Sequence, residues 1–126
     1  MERKTEPNQE IKVFPGRLPS EKTVETFLNK IAVLKSVVSV TLSGVSTHYE
    51  RRINVSGTSI PLKIQVTWIY LEIEEINDDR MREVKDVCQE VFPYGFETKI
   101  GIFRPTGETL TSESGRSFAR IDFVER

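Results

Sequence analysis

Cys88-Gln-Glu-Val-Phe-Pro-Tyr-Gly-Phe-Glu-Thr-Lys-Ile-Gly-Ile-Phe103 decides how the chain is read. It begins as the last turn of a helix, bends tightly, and leaves as a strand. Pro93 has no backbone N–H and cannot extend a helix past Phe92. Gly95 tolerates positive φ and lets the chain turn sharply. Phe96, Thr98, Ile100 and Ile102 then alternate with Glu97, Lys99 and Gly101, the period of a half-buried strand. Aromatic residues flank the bend on both sides. The plain reading is a structural corner between a helix and a strand.

Upstream, Met81, Val84, Val87, Cys88 and Val91 recur at helical spacing and form an apolar stripe. Asn77 is its predicted N-cap, with Asp78 and Asp79 near the positive end of the helix dipole. A first helix is predicted over Ser20–Lys35, with Ser20 as N-cap and Val24, Phe27, Leu28, Ile31 and Leu34 as its apolar stripe. Ile11–Pro15 reads as a short strand. Val38, Val40 and Leu42 alternate with Ser39 and Thr41 and read as another, ended by Gly44. Gly44–Glu50 has the composition of a loop. Gly57-Thr58 is a plausible hairpin turn between Arg52–Ser56 and Ser59–Val66. Ile60, Leu62, Ile64, Val66 and Trp68 share one parity, whereas Ile69, Leu71 and Ile73 have the other. A continuous strand would turn its apolar face over at that point, so a turn or bulge near Thr67 is expected.

The order β-α-β-(hairpin)-β-α-β predicts an α+β fold, a ferredoxin-like β-α-β-β-α-β sandwich with an extra hairpin inserted between strands 2 and 3. Residues 1–10 are expected to form a flexible N-terminal tail and 11–104 the ferredoxin-like domain. Within it, 44–66 is an inserted loop and hairpin, expected to stand out as an exposed protrusion. Residues 105–126 are expected to form a weakly ordered C-terminal extension, in which the sequence of Phe118–Val124 is faintly strand-like. At 126 residues the chain has the length of one ordinary domain. A formal net charge of −1 draws it neither to nucleic acid nor to an acidic membrane. No apolar run is long enough to span a bilayer, and the polar N-terminus lacks the core of a signal peptide. With one cysteine there is no internal disulfide. A cytoplasmic location is expected.

The residues offer little chemistry. His48 is the sole histidine, and no second histidine or cysteine stands at metal-ligand spacing. Cys88 sits on the apolar stripe of the second helix and reads as a buried, inert thiol. Glu72 and Glu74 alternate with Leu71 and Ile73, so they read as a solvated sheet face rather than paired catalytic carboxylates. No phosphate-binding glycine loop is present. Trp68, Tyr70 and Phe103 have parities suited to an open aromatic sheet face of the kind that stacks RNA bases. Glu72, Glu74 and Glu97 share that face, and the glycine–aromatic RNA-binding signature is missing. The expectation is therefore no enzyme, no catalytic, cofactor-binding or metal residues, no cofactor, and no nucleic acid or membrane partner. Tyr94, at the tip of the bend, and Arg51 and Arg52, before the hairpin turn, are the candidate protein-binding residues.

Several segments in order also resemble one family. They are Ile11-Lys-Val-Phe-Pro15, Arg17-Leu18, Thr26-Phe-Leu-Asn29, Arg51-Arg52-Ile-Asn-Val-Ser-Gly57, Leu71-Glu-Ile-Glu74, Val87-Cys-Gln-Glu-Val-Phe-Pro-Tyr-Gly-Phe96 and Lys99-Ile-Gly-Ile-Phe103. Together they resemble the archaeal methyl-coenzyme M reductase operon protein D family over about residues 11–103. The chain departs from the family pattern at Thr109-Leu-Thr-Ser112 and at Trp68. The resemblance implies a non-catalytic accessory protein that binds methyl-coenzyme M reductase subunits during assembly, cofactor loading or activation. Two other readings stay open. One is a small-ligand-sensing regulatory domain of ferredoxin-like topology; the other is an enzyme using Cys88 or the strand carboxylates.

Overall fold

A computed structural model describes residues 9–101 and 117–123. Most of the expected N-terminal tail, the end of the expected last strand at Ile102 and Phe103, and most of the expected C-terminal extension lie outside the described residues. Among the described residues, five strands and two helices run in the order β1 (Gln9–Pro15), α1 (Glu21–Ile31), β2 (Val37–Val55), β3 (Thr58–Ile73), α2 (Asp78–Val91), β4 (Phe96–Gly101) and β5 (Ser117–Asp122). The strands form one antiparallel sheet of order β4-β1-β3-β2-β5. The protein is thus α+β, with an element order that resembles the ferredoxin-like arrangement. β1 begins at Gln9, inside the segment expected to be a tail, and β5 pairs along β2 from Ser39 to Gly44.

The helices form where capping and periodicity agree. Ser20 Oγ accepts from Thr23 N–H at 3.2 Å, and Asn77 Oδ1 accepts from Arg80 N–H at 2.9 Å, satisfying N-terminal amides that have no partner within the helix. α1 ends at Ile31, short of the expected Lys35. Beyond it the backbone tightens into i→i+3 bonds, Leu34 N–H to Ile31 O and Val37 N–H to Leu34 O, which swing Val37 into the sheet. Val24, Phe27, Leu28 and Ile31 of α1 and Val84 and Cys88 of α2 are buried. They share one core with Ile11, Val13, Val40, Leu42, Ile69, Leu71 and Ile73 of the sheet.

The expected change of parity near Thr67 is a β-bulge. Ser43 faces Trp68 but Gly44 faces Val66, so Thr67 is the residue that β2 does not match. Its Oγ1 donates to Ser43 O at 3.0 Å. The bulge moves the apolar set from even positions (Leu62, Val66) to odd ones (Ile69, Leu71, Ile73) without turning the sheet over. The strands approach so closely here that a Cβ on Gly44 would lie 1.9 Å from the main-chain oxygen of Gln65.

The additional hairpin is the outer half of β2 and β3 themselves. Residues 44–50 belong to β2 rather than to a loop, although 47–50 bow out of register between the pairs Ser46–Ile64 and Arg51–Leu62. Nor is the hairpin a free protrusion. Ile53, Val55 and Leu62 are buried in the common core. Asn29 of α1 donates to Asn54 O at 2.7 Å and accepts from Ser56 N–H at 2.9 Å, and Glu25 accepts from Asn54 N–H at 2.6 Å. The alternation after Gly57 was too short to show that α1 reaches this far.

Replacing Gly44 by alanine is expected to force the β2–β3 backbones apart at the bulge and to cost about 2–3 kcal/mol. Urea unfolding of the full chain checks this as a lower midpoint with an unchanged slope.

Candidate docking surface

The bend at the end of α2 is fixed from both sides. Phe92 caps the helix, its N–H bonding to Cys88 O at 2.7 Å, and its ring is buried against Phe27 at 5.2 Å between centroids. Gly95 has φ +120°, a conformation that disfavours any side chain. Its N–H bonds to Phe92 O at 3.0 Å and its carbonyl accepts from Gly16 N–H at 2.8 Å. A Cβ on Gly16 would meet that same oxygen at 2.9 Å. Phe96 packs half-buried against the core. Between these anchors Pro93 and Tyr94 face solvent.

Tyr94 is 37% exposed, with its ring edge against Phe92 at 6.1 Å. The guanidinium of Arg17 lies 5.3 Å from the ring centroid, a cation–π placement. Partial burial pushes the phenol above its ordinary value, and the positive charge of Arg17 opposes that shift. Leu18, next in the chain, is also exposed. Pro19 then accepts from the Gln65 side chain at 2.9 Å, so the connection from β1 to α1 is held to the bend at one end and to β3 at the other.

Past Pro19 the surface opens into a small cleft between the start of α1 and the bowed part of β2. Its volume is about 70 Å³, and Val24, Tyr49, Arg51, Leu62 and Ile64 are among the residues that line it. Tyr49 is 72% exposed. Arg51 reaches Glu21 at 3.6 Å. Arg52, pointing the opposite way as successive strand residues do, donates to Ser59 Oγ at 2.8 Å and Ser59 O at 3.3 Å and approaches Glu50 at 3.5 Å. The three expected residues therefore differ in situation. Tyr94 and Arg51 lie at the two ends of the 16–21 connection, whereas Arg52 is engaged across its own hairpin. Tyr49 was not singled out from the sequence, and Arg17 and Leu18 entered only as one of the segments that carry the resemblance. Tyr49 sits where β2 leaves register, so no alternation marks it.

The opposite sheet face differs from the sequence expectation. Glu72 is buried rather than solvated, accepting from Ser39 Oγ at 2.8 Å and meeting Arg120 of β5 at 3.4 Å. Arg120 also binds Asp122 at 2.8 Å, which raises its already high pKa further. Buried carboxylates need such partners. Glu10 is buried directly across from Glu72, while Glu74 is exposed. Farther along β3, Trp68 Nε1 donates to the Tyr70 hydroxyl at 2.7 Å, and Lys12 Nζ lies 4.4, 4.9 and 5.3 Å from the rings of Trp68, Phe14 and Tyr70. Phe103, the third expected aromatic, lies outside the described residues.

Among the described residues no group of three or more His, Cys, Asp or Glu is arranged to hold a metal ion, and no helix is long and apolar enough to cross a membrane. His48 lies within β2. Cys88 is fully buried, and burial pushes its thiol from 9.0 up to about 12. An unfolded chain would ionise this thiol near its ordinary value while the folded one keeps it neutral. Its contribution to stability is therefore intact below pH 9 and is lost as pH rises toward 12, by up to about 1.4 kcal/mol per unit. Native protein at pH 8 is expected to resist a thiol reagent that labels Cys88 at once in denaturant, and Cys88→Ala is expected to soften the loss of stability above pH 9. Rapid labelling of the native chain would contradict this burial.

Residues 43–118 match the family model described as methyl-coenzyme M reductase operon protein D. The chain is 36% identical to the methyl-coenzyme M reductase operon protein D of Methanothermus fervidus, an alignment covering 81% of this chain and 80% of that protein. It is 32% identical to the protein of the same name from Methanococcus voltae, over 86% of this chain and 79% of the relative. With methyl-coenzyme M reductase I operon protein D of Methanothermobacter thermautotrophicus the identity is 29%, over 82% and 74%.

Proposed function

Because this chain belongs to the methyl-coenzyme M reductase operon protein D family, we propose that it is a cytoplasmic, non-catalytic accessory protein of methyl-coenzyme M reductase. It binds the reductase subunits during assembly, cofactor loading or activation and turns over no substrate itself. The observation that carries this reading is the exposed Tyr94–Arg17 pair on a bend whose backbone is held by Phe92, Gly95 and Gly16. A rigid aromatic beside a cation offers apolar area, a hydroxyl and a charge at little entropic cost, the profile of an interface anchor. The connection through Leu18 to Tyr49 and Arg51 extends the surface toward the cleft.

The size of that cleft favours docking over ligand sensing. Small-molecule pockets usually enclose about 300 Å³ or more, against about 70 Å³ here. A larger hollow of about 340 Å³ beside Val33, Lys35 and Arg80 is broadly open to solvent. The buried, neutral Cys88 lacks the electropositive, accessible setting of a nucleophile.

Tyr94→Ala removes the anchor while sparing the core, so the melting temperature should stay within a degree or two of the parent. Binding to the reductase, measured by co-purification and titration, is expected to weaken about tenfold, equivalent to about 1.4 kcal/mol. Phe92→Ala is the contrasting control, since emptying its buried site should cost about 3–5 kcal/mol of stability. Undiminished binding by Tyr94→Ala would move the contact to the Arg51 cleft. Failure of the full chain to associate with any form of the reductase would overturn the proposal.

A further inference from the structure

β4 is an outer strand of the sheet, and its sequence Phe96-Glu-Thr-Lys-Ile100 is complementary to itself read backwards. The hydrogen-bond phase of the strand follows from its pairing with β1. Gly16 N–H bonds to Gly95 O, and the ladder then runs Pro15–Phe96, Phe14–Glu97, Val13–Thr98, Lys12–Lys99, Ile11–Ile100. In an antiparallel ladder opposed residues alternate between bonded and non-bonded pairs. Glu97 and Lys99 therefore spend their main-chain groups on β1. The N–H and C=O of Phe96, Thr98 and Ile100 point to the outer edge, where no described strand meets them. Pro15, which has no N–H, falls opposite Phe96 in a non-bonded pair, as this phase requires.

We propose that this edge pairs with the β4 edge of a second copy of the chain, antiparallel, about a two-fold axis through Thr98. That register places Thr98 against Thr98 of the partner subunit, and the outward main-chain groups of Phe96, Thr98 and Ile100 then form about six hydrogen bonds across the axis. Glu97 faces the partner's Lys99, and Lys99 faces the partner's Glu97, on one sheet face. On the other face Phe96 lies opposite the partner's Ile100. Ile100 is 47% exposed in the isolated chain, and Phe96 is half-buried, so the pairing covers apolar surface on the helix side. Neighbouring registers are disfavoured. An axis through Glu97 or Lys99 would still engage the outward main-chain groups, but it sets Glu97 against the partner's Glu97, or Lys99 against the partner's Lys99, like charges directly opposed. An isologous contact of this kind closes after two subunits, which ends the edge as a template for further strands.

The pairing goes beyond reductase binding and does not rest on it. A junction this short buries less than the roughly 1,600 Å² of a standard interface, so a dissociation constant on the order of 10 μM is expected. Sedimentation velocity of the isolated full chain from about 1 to about 500 μM should show a monomer–dimer equilibrium. Thr98→Pro removes an outward N–H without touching the bonds to β1, and it should leave a monomer with an unchanged melting temperature. Glu97→Lys and Lys99→Glu should each weaken self-association about tenfold or more, because each sets two like-charged pairs face to face. An equimolar mixture of these two variants should recover the dimer, since every new lysine then meets a glutamate. A monomer at all concentrations, a dimer indifferent to Thr98→Pro, or a mixture that fails to recover would each overturn the proposal. If Thr98→Pro does not fold, the charge-swap mixture decides alone. None of these measurements involves the reductase, so its failure to bind would leave this result standing.

Discussion

At Thr67 one strand carries a residue that its neighbour cannot match, and the rest of the molecule depends on how that mismatch is absorbed. β2 and β3 are 19 and 16 residues long. In β3 the buried residues change parity between Val66 and Ile69, so an unbroken pleat would send one set to each face of the sheet unless something resets the alternation. The bulge does so where Gly44 permits contact that no side chain would allow. One apolar face then extends from Ile73 to Leu62. α1 can lie along it and still reach Asn54 and Ser56 with Asn29. The same reset places Tyr70 and Glu72 on the far face, where Lys12, Ser39 and Arg120 meet them.

Much of this was written in the residues. The parity conflict between Val66 and Ile69 located the bulge, the Ser20 and Asn77 caps located both helix starts, and Pro93 with Gly95 located the bend. What stayed hidden was pairing at a distance. Nothing local distinguishes a loop at Gly44–Glu50 from a strand that bows out of register, because both lack alternation. Glu72 looked solvated because alternation reports only that a side chain faces away from the core. It is silent on whether Ser39 and Arg120, far away in sequence, will be waiting there. The candidate surface divides in the same way. Tyr94 was legible from the bend alone. Arg17 became relevant only when Gly16 bonded to Gly95 and carried it over the tyrosine ring. Arg52 looked equivalent to Arg51 until their opposite directions separated a cleft residue from a hairpin brace.

The distribution of polar groups fits a protein that acts through its surface. Its buried thiol is held neutral, its buried Glu72 is held by Ser39 and Arg120, and the exposed Tyr94 stands on backbone that is tied down at several points. Rigidity beneath an exposed side chain lowers the entropy lost when a partner orders it.

The position of β1 bears on how the chain can fold at all. It is the earliest of the described strands, yet its partners are β3 on one side and β4 on the other. During synthesis Ile11 has nothing to pair with until Leu71 has been made, and its second edge stays open until Ile100 follows. The β2–β3 hairpin, by contrast, closes on itself around Gly57 and needs only local contacts. Loop closure favours the local pairing first. β1 is thus made well before its partners yet is among the last strands to be seated, and the apolar side chains of Ile11 and Val13 must be kept from other chains in the interval.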